Sequence, residues 1–320
     1  MVSGLTDIWG IKVGVVSNTE AATGVTVVLV EEGARGAVEV RGSAPGTRET
    51  DLLRPGQLVE EVQAIVLAGG SAFGLDAASG VMRYLEEKDC GFPAGCFKVP
   101  VVPAAVLFDL FIGEGNVRPD AAMGYKACIA ASAGPVGEGS IGAGTGATVG
   151  KIYGTSQSVK GGQGSAAIQN GELIVAALVV VNSFGDVFDR KGKLLAGPRN
   201  PETGKMDLTE KLLVDINTGG FSGNTTLGVI ATNASFDSTA LTKVCHLAHD
   251  GLARSIWPVH TMWDGDTIFA LSKGGLIADV NLVGLMAAEA IATAVERAVL
   301  RATSLCGIPS AGDHKSQNKK

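Results

Sequence analysis

Charge is scarce in this 320-residue chain, where Asp, Glu, Lys and Arg make up 18% of residues against about 25% in an average globular protein. With 46% hydrophobic residues beside it, that scarcity excludes a disordered chain. Basic residues are outnumbered 26 to 32, leaving a net charge of −6 and no basic stripe to neutralise phosphates, so no nucleic-acid partner is expected. Long apolar runs are missing too. The longest, Leu173 to Val181, falls far short of the roughly 20 residues of a membrane helix, so no membrane partner is expected. The start MVSGLTDIWG lacks a basic n-region, and the expectation is a soluble, cytoplasmic protein. The five cysteines (Cys90, Cys96, Cys128, Cys245, Cys306) are odd in number and form no Cys-x-x-Cys pair, which fits structural thiols in a reducing compartment.

Glycine, in contrast, is abundant at 45 residues, roughly twice the average share, without a G-X-Y period. The length allows two modest domains or one large one. Val25–Val30 and Ala37–Arg41 read as the arms of a hairpin around Glu31–Gly36. Ala64–Leu67 reads as a strand running through Gly69-Gly70-Ser71 into a helix over Leu75–Glu87, and Pro119-Asp120 opens a second helix over Ala121–Ser132. Glycine concentrates from Gly134 to Gly164 between short β-like pieces, where backbone must approach something closely. Glu172–Asn182 is an apolar strand, and Gly185–Gly223 a long irregular excursion. Leu227–Ala231 and Thr267–Leu271 read as strands, and Ser238 as the cap of a helix to about Ala253. The helix Leu282–Ala302 is apolar nearly all round, which predicts burial between layers, and Ser310–Lys320 reads as a disordered tail.

Most chemical motifs fail on spacing. Gly144–Lys151 has Thr145 where a phosphate loop needs Gly and Ile152 where it needs Ser or Thr, and Gly142, Gly144 and Gly146 follow GxGxG rather than the dinucleotide GxGxxG. No serine occupies a Gly-x-Ser-x-Gly elbow. Cys245, His246 and His249 share one predicted helix but lack further ligands, so the histidines read as surface or capping residues, and neither metal nor cofactor is expected. Asp264-Gly265-Asp266 reads by itself as a turn into a strand. The informative junction is Gly223-Asn224-Thr225-Thr226, which ends the long excursion and begins an apolar strand. Hydroxyl residues there are commonly just strand starters. In an N-terminal nucleophile enzyme, however, such a hydroxyl attacks the preceding carbonyl, and the freed α-amine, with an unperturbed pKa near 7.7–8.0, serves as its general base.

Five stretches in order carry a family resemblance: Gly42–Asp51 (GSAPGTRETD), Leu67–Leu75 (LAGGSAFGL), Gly142–Gly146 (GAGTG), Gly223–Thr226 (GNTT) and His260–Thr267 (HTMWDGDT). Together the chain resembles the self-processing N-terminal nucleophile hydrolases that include the DmpA-type L-aminopeptidase/D-esterases, β-aminopeptidases and nylon-oligomer hydrolases. The resemblance implies an α/β fold in a four-layer αββα sandwich, a single domain over residues 1–320, self-cleaved into an α-chain 1–224 and a β-chain 225–320. It implies Thr225 as nucleophile of both self-cleavage at Asn224 and acyl transfer. By the same resemblance Lys151 tunes the amine or hydroxyl, Asn182 donates to the oxyanion, and Asp264 and Asp266 orient nucleophile and amine. These site residues look closest to the nylon-hydrolase branch, since the aminopeptidase branch carries Ser and Glu there, whereas Gly42–Asp51 looks more like the aminopeptidase branch.

The function implied is an N-terminal-threonine amidohydrolase acting on small peptides or ω-amino acid oligomers such as 6-aminohexanoate oligomers, in a homo-oligomer of processed units. The alternatives are an L-aminopeptidase/D-esterase or β-aminopeptidase, an acyltransferase of the ornithine-acetyltransferase type, and an unprocessed binding protein.

Overall fold

The computed structural model describes residues 4–215 and 223–313. Its main sheet comprises β1 (Lys12–Asn18), β2 (Thr23–Val40), β3 (Gly46–Arg48), β4 (Glu61–Ala68), β5 (Ala104–Val106), β6 (Gly162–Asn170), β7 (Leu173–Asn182), β8 (Thr225–Ala234) and β9 (Thr267–Leu276). The order is β6-β7-β8-β9-β2-β4-β5-β3, with β1 paired to β2. The helices are α1 (Ala77–Glu87), α2 (Ala121–Ala130), α3 (Thr209–Asp215), α4 (Ser238–Ser255) and α5 (Val280–Leu300).

The expected hairpin over 25–41 is instead one long strand, β2. Its pairing with β4 shifts between Leu29 and Ala34, and Gly33 there has φ +81. A bulge draws on the same glycine and polar residues as a turn but bends the chain without reversing it. The bend lets one strand serve both halves of the sheet: Val25 pairs with Val16 of β1, and Ala37 with Ala270 of β9.

Side-chain alternation then makes the layers. On β7, Val175, Ala177, Val179 and Val181 pack with the α4 and α5 residues, while Ala176, Leu178 and Val180 join Ile65 and Leu67 of β4 and Val28 and Val30 of β2 in a middle core. The other face of β4, Ala64, Val66 and Ala68, packs with Val81 and Leu85 of α1 and Ala127 of α2. The result is the expected αββα stack, and it explains why the β7 run is apolar at every position.

Several local expectations need correction. Asp237 rather than Ser238 caps α4, its carboxylate accepting from the Ala240 N–H at 2.7 Å, because a carboxylate one residue earlier meets the free N–H groups and the positive helix end. Helix α5 is an outer layer, not an enclosed one, with Leu285 and Leu300 exposed. Its inner side lies so close to β6 that a Cβ at Gly164 would stand 2.1 Å from the Ala294 carbonyl oxygen.

The excursion after Gly185 is partly regular. Asp186–Phe188 pairs with Leu194–Ala196 and with Ile256–Trp257, and buried Asp186 accepts from the Thr209 N–H at 2.8 Å and from its hydroxyl, fixing the start of α3. At the C-terminal end Ser310 and Ala311 are buried and Ser310 bonds to Asp313, so residues 310–313 belong to the body; 314–320 lie outside the described residues.

Candidate active site

Strand register assembles the site. Asn182, the last residue of β7, lies directly opposite Thr225, the first of β8. Strands β8 and β9 are parallel, with Leu227 beside Thr267, so residues 264–266 arrive at the head of β8 and Asp264 bridges to Asn224. All five residues picked out by the resemblance, Thr225, Lys151, Asn182, Asp264 and Asp266, are buried at this one place.

The peptide bond between Asn224 and Thr225 is held from both sides. The Thr225 hydroxyl donates to the Asn224 carbonyl oxygen, and the Gly265 backbone N–H donates to the same oxygen at 2.9 Å. Gly223 takes φ +60, and a Cβ there would fall 2.3 Å from the Phe108 ring, so only glycine fits this approach.

Asn182 is the hub of the cationic side. Its Oδ1 accepts from the Lys151 ammonium at 2.8 Å and the Thr148 N–H at 3.0 Å, while its Nδ2 donates to the carbonyls of Phe108 (3.1 Å) and Gly223 (3.4 Å). The amide that the resemblance assigns to an oxyanion thus holds the carbonyl one residue upstream of Asn224. Lys151 also donates to the Asn182 carbonyl at 2.9 Å, and burial pushes its ammonium down to about 7, with Asp264 opposing that shift.

The acidic side is equally ordered. Asp264 accepts from the N–H groups of Phe184 (3.3 Å) and Thr261 (3.0 Å) and from the Thr261 hydroxyl. Burial first, and the neighbouring Asp266 charge second, push Asp264 up to about 6. Asp266 receives the Thr226 N–H at 2.6 Å on one oxygen; on the other it receives the His260 N–H at 3.1 Å and meets the His260 Nδ1 at 2.7 Å.

Above this floor opens a cleft of about 130 Å³, lined by Ala44, Pro45 and Gly46 from one resemblance-bearing stretch, Ser71 and Ala72 from another, and by Phe108, Thr225 and Trp263. Among the described residues its lining carries no charged side chain. The glycine-rich stretch 142–146 lies elsewhere: the carbonyls of Thr145 and Ala147 accept from buried Lys160 at 2.6 and 2.8 Å. Burial pushes Lys160 down to about 7 and nearby Asp109 up to about 6.

Sequence reasoning missed Lys160, Asp109, the Gly265 N–H and any role for His260. His260 and Gly265 both stand inside the stretch His260–Thr267, whereas Lys160 and Asp109 lie in none of the five stretches. The histidines of α4 also need correction: His246 is partly exposed, 3.2 Å from the Glu39 carboxylate, but His249 is fully buried with Nε2 3.2 Å from the Glu39 carbonyl, because α4 packs over the end of β2. Burial pushes His249 down to about 3. Among the described residues no group of three or more His, Cys, Asp or Glu is arranged to hold a metal ion.

The layers define an N-terminal-nucleophile hydrolase fold. The solved L-aminopeptidase D-Ala-esterase/amidase of Ochrobactrum anthropi matches over 99% of this chain and 93% of its own with a TM-score of 0.74 at 19% identity, and a Burkholderia β-aminopeptidase over 99% and 94% with a TM-score of 0.68 at 20%. The chain belongs to peptidase family S58, whose model matches residues 3–311. An uncharacterized aminopeptidase of Mycobacterium tuberculosis is 41% identical over 98% of both chains. A 6-aminohexanoate-oligomer endohydrolase of Agromyces is 32% identical over 90% of this chain and 84% of its own. The protein is accordingly a hydrolase of amide bonds.

Proposed function

We propose that the chain cuts itself between Asn224 and Thr225, and that Thr225 then hydrolyses amide bonds of small peptides or ω-amino acid oligomers through an acyl ester. One observation carries the reading: the Thr225 hydroxyl and the Gly265 N–H converge on the carbonyl oxygen of the bond to be cut. In self-cleavage Thr225 Oγ1 bonds to the Asn224 carbonyl carbon, and Gly265 holds the resulting oxyanion. The hydroxyl proton passes to the departing Thr225 nitrogen as the C–N bond breaks, and water splits the ester to leave an Asn224 carboxylate and a free Thr225 amine. That amine takes the hydroxyl proton when Thr225 attacks a substrate carbonyl, with Lys151 and the Asp264–Asp266 pair fixing the charge around it.

The uncharged cleft supports an acyl segment without charge, as in the interior of an oligomer such as the one the Agromyces relative is named for. The five cysteines, none of them paired and two buried, support a cytoplasmic setting, and light scattering would measure assembly of processed units into a homo-oligomer.

Denaturing electrophoresis with N-terminal sequencing tests the central step: residues 1–224 and 225–320 should appear as separate bands, the smaller starting TTLGVI. A Thr225→Ala variant that still splits there would overturn the mechanism. Processed protein should then release amines from capped peptides and 6-aminohexanoate oligomers.

A further inference from the structure

Asp266 is 1% exposed and stands two residues from Asp264, also 1% exposed. Two buried carboxylates in one site need a counter-charge. Lys151 answers Asp264, but its ammonium is bonded to Asn182. The titratable and charged groups on the Asp266 side come from three places: His260 in the loop before β9, His246 and His249 on α4, and Glu39 and Arg41 at the end of β2. Arg41 lies 3.6 Å from the Glu39 carboxylate, with His246 on that carboxylate's other oxygen, so these three satisfy one another. His249 is held neutral, its Nε2 toward the Glu39 carbonyl. Arg41 meets Asp266 only through backbone, its N–H on the Asp266 carbonyl oxygen at 3.0 Å, so of these groups His260 alone reaches the Asp266 carboxylate, through both its backbone N–H and its ring Nδ1.

The backbone confirms that this contact is built rather than incidental. His260 sits at φ +56, a left-handed conformation unfavourable for a non-glycine residue, which wraps its own N–H and ring around one carboxylate oxygen. Its ring stands edge to face with His249, centroids 4.8 Å apart. Both His260 Nε2 and His249 Nδ1 are buried without a protein partner. With its Nε2 against the Glu39 carbonyl, His249 carries its proton there, which leaves its Nδ1 a bare acceptor.

We propose that His260 is a positioning residue for the Thr225 chemistry: its imidazolium supplies the counter-charge of Asp266, keeps that carboxylate on the Thr226 N–H, and shields Asp264 from the Asp266 charge. The inference rests on the reading of Thr225 as nucleophile. With the counter-charge removed, Asp264 feels the full negative charge of Asp266 and holds its proton to higher pH, so the acidic limb of the rate moves upward.

The test is the pH profile of self-cleavage and of amide hydrolysis for the wild type, His260→Asn and His260→Ala. Asn keeps a neutral donor to Asp266, whereas Ala keeps none. Both variants should move the acidic limb up by about one pH unit. Asn should restore the alkaline plateau to within about threefold of wild type, while Ala lowers it at least about tenfold. Folded variants whose limbs stay in place would overturn the proposal, as would loss of rate at all pH values alike. Imidazole nitrogen NMR of the wild type gives a readout that needs no variant: the His260 signal must be that of imidazolium at the pH where the rate is rising, and a neutral ring there overturns the proposal. A wild type that never splits at Asn224 defeats the nucleophile reading itself, a separate outcome from an unmoved limb.

Discussion

Gly265 donates its backbone N–H to the carbonyl oxygen of Asn224 at 2.9 Å, tying the acidic loop to the residue before the threonine. Glycine is required at this point, since a Cβ on Gly265 would lie 2.8 Å from Thr225 Oγ1 and 2.7 Å from the Ala44 carbonyl oxygen. Gly265→Ala should therefore displace the donor and slow self-cleavage by about 10²-fold, the loss expected for one oxyanion donor. Time-resolved electrophoresis measures the rate, and a thermal melt close to wild type separates it from misfolding.

Asn182→Ala removes the acceptor of Lys151 and of the Thr148 N–H, together with the donor to Phe108 and Gly223. Lys151 keeps its bond to the Asn182 backbone carbonyl, but the Thr148 N–H and the Gly223 carbonyl lose theirs, and a buried group left unmet costs about 1–3 kcal/mol. The variant should lose about 2–4 kcal/mol in denaturant unfolding and split more slowly. An unchanged midpoint would contradict the hub role given to Asn182.

Ala72 lines the uncharged cleft. Ala72→Glu places a carboxylate there and should raise kcat/KM for peptides with a free amine over their acetylated forms by about threefold, the scale of a single exposed ion pair. Competition assays with matched capped and uncapped substrates give the ratio directly.

Burial pushes Asp186 up to about 7, against the two hydrogen bonds from Thr209. The folded state then binds its proton more tightly than the unfolded chain, so this group's contribution is fully present below about pH 4 and is lost as pH rises to about 7. Asp186→Asn does not titrate. Its melting temperature relative to wild type should rise from pH 4 to pH 8, and a flat difference would refute the shift.

What was legible in the sequence was whatever a local pattern encodes. The unbroken apolar run of β7 reads directly as a strand buried on both faces, and Asp120 caps α2 as expected, accepting from the Met123 N–H. The bulge in β2 reads as a hairpin in the sequence because Gly33 and its polar neighbours suit either, and the choice falls to β9, which arrives some 230 residues later to pair with its second half. His249 looked like a surface histidine because nothing nearby announces the Glu39 carbonyl. Lys160 and Asp109 had no motif at all, since the ammonium is received by carbonyl oxygens, which every residue has. Of the site, four of the five stretches carried its location, 142–146 lying apart from the cleft, while the converging N–H of Gly265 is visible only once β8 and β9 lie in parallel.

Strand β8 is clasped along both edges, by β7 on one side and β9 on the other. A nick at its head would therefore sever the chain without parting the molecule, because the shorter piece supplies two adjacent inner strands of the sheet and the two helices covering it. The two polypeptides would stay locked together while native. Once melted they would be strangers in solution, and recovery would become a second-order encounter that slows with dilution, whereas the uncut Thr225→Ala chain would refold at a rate independent of concentration.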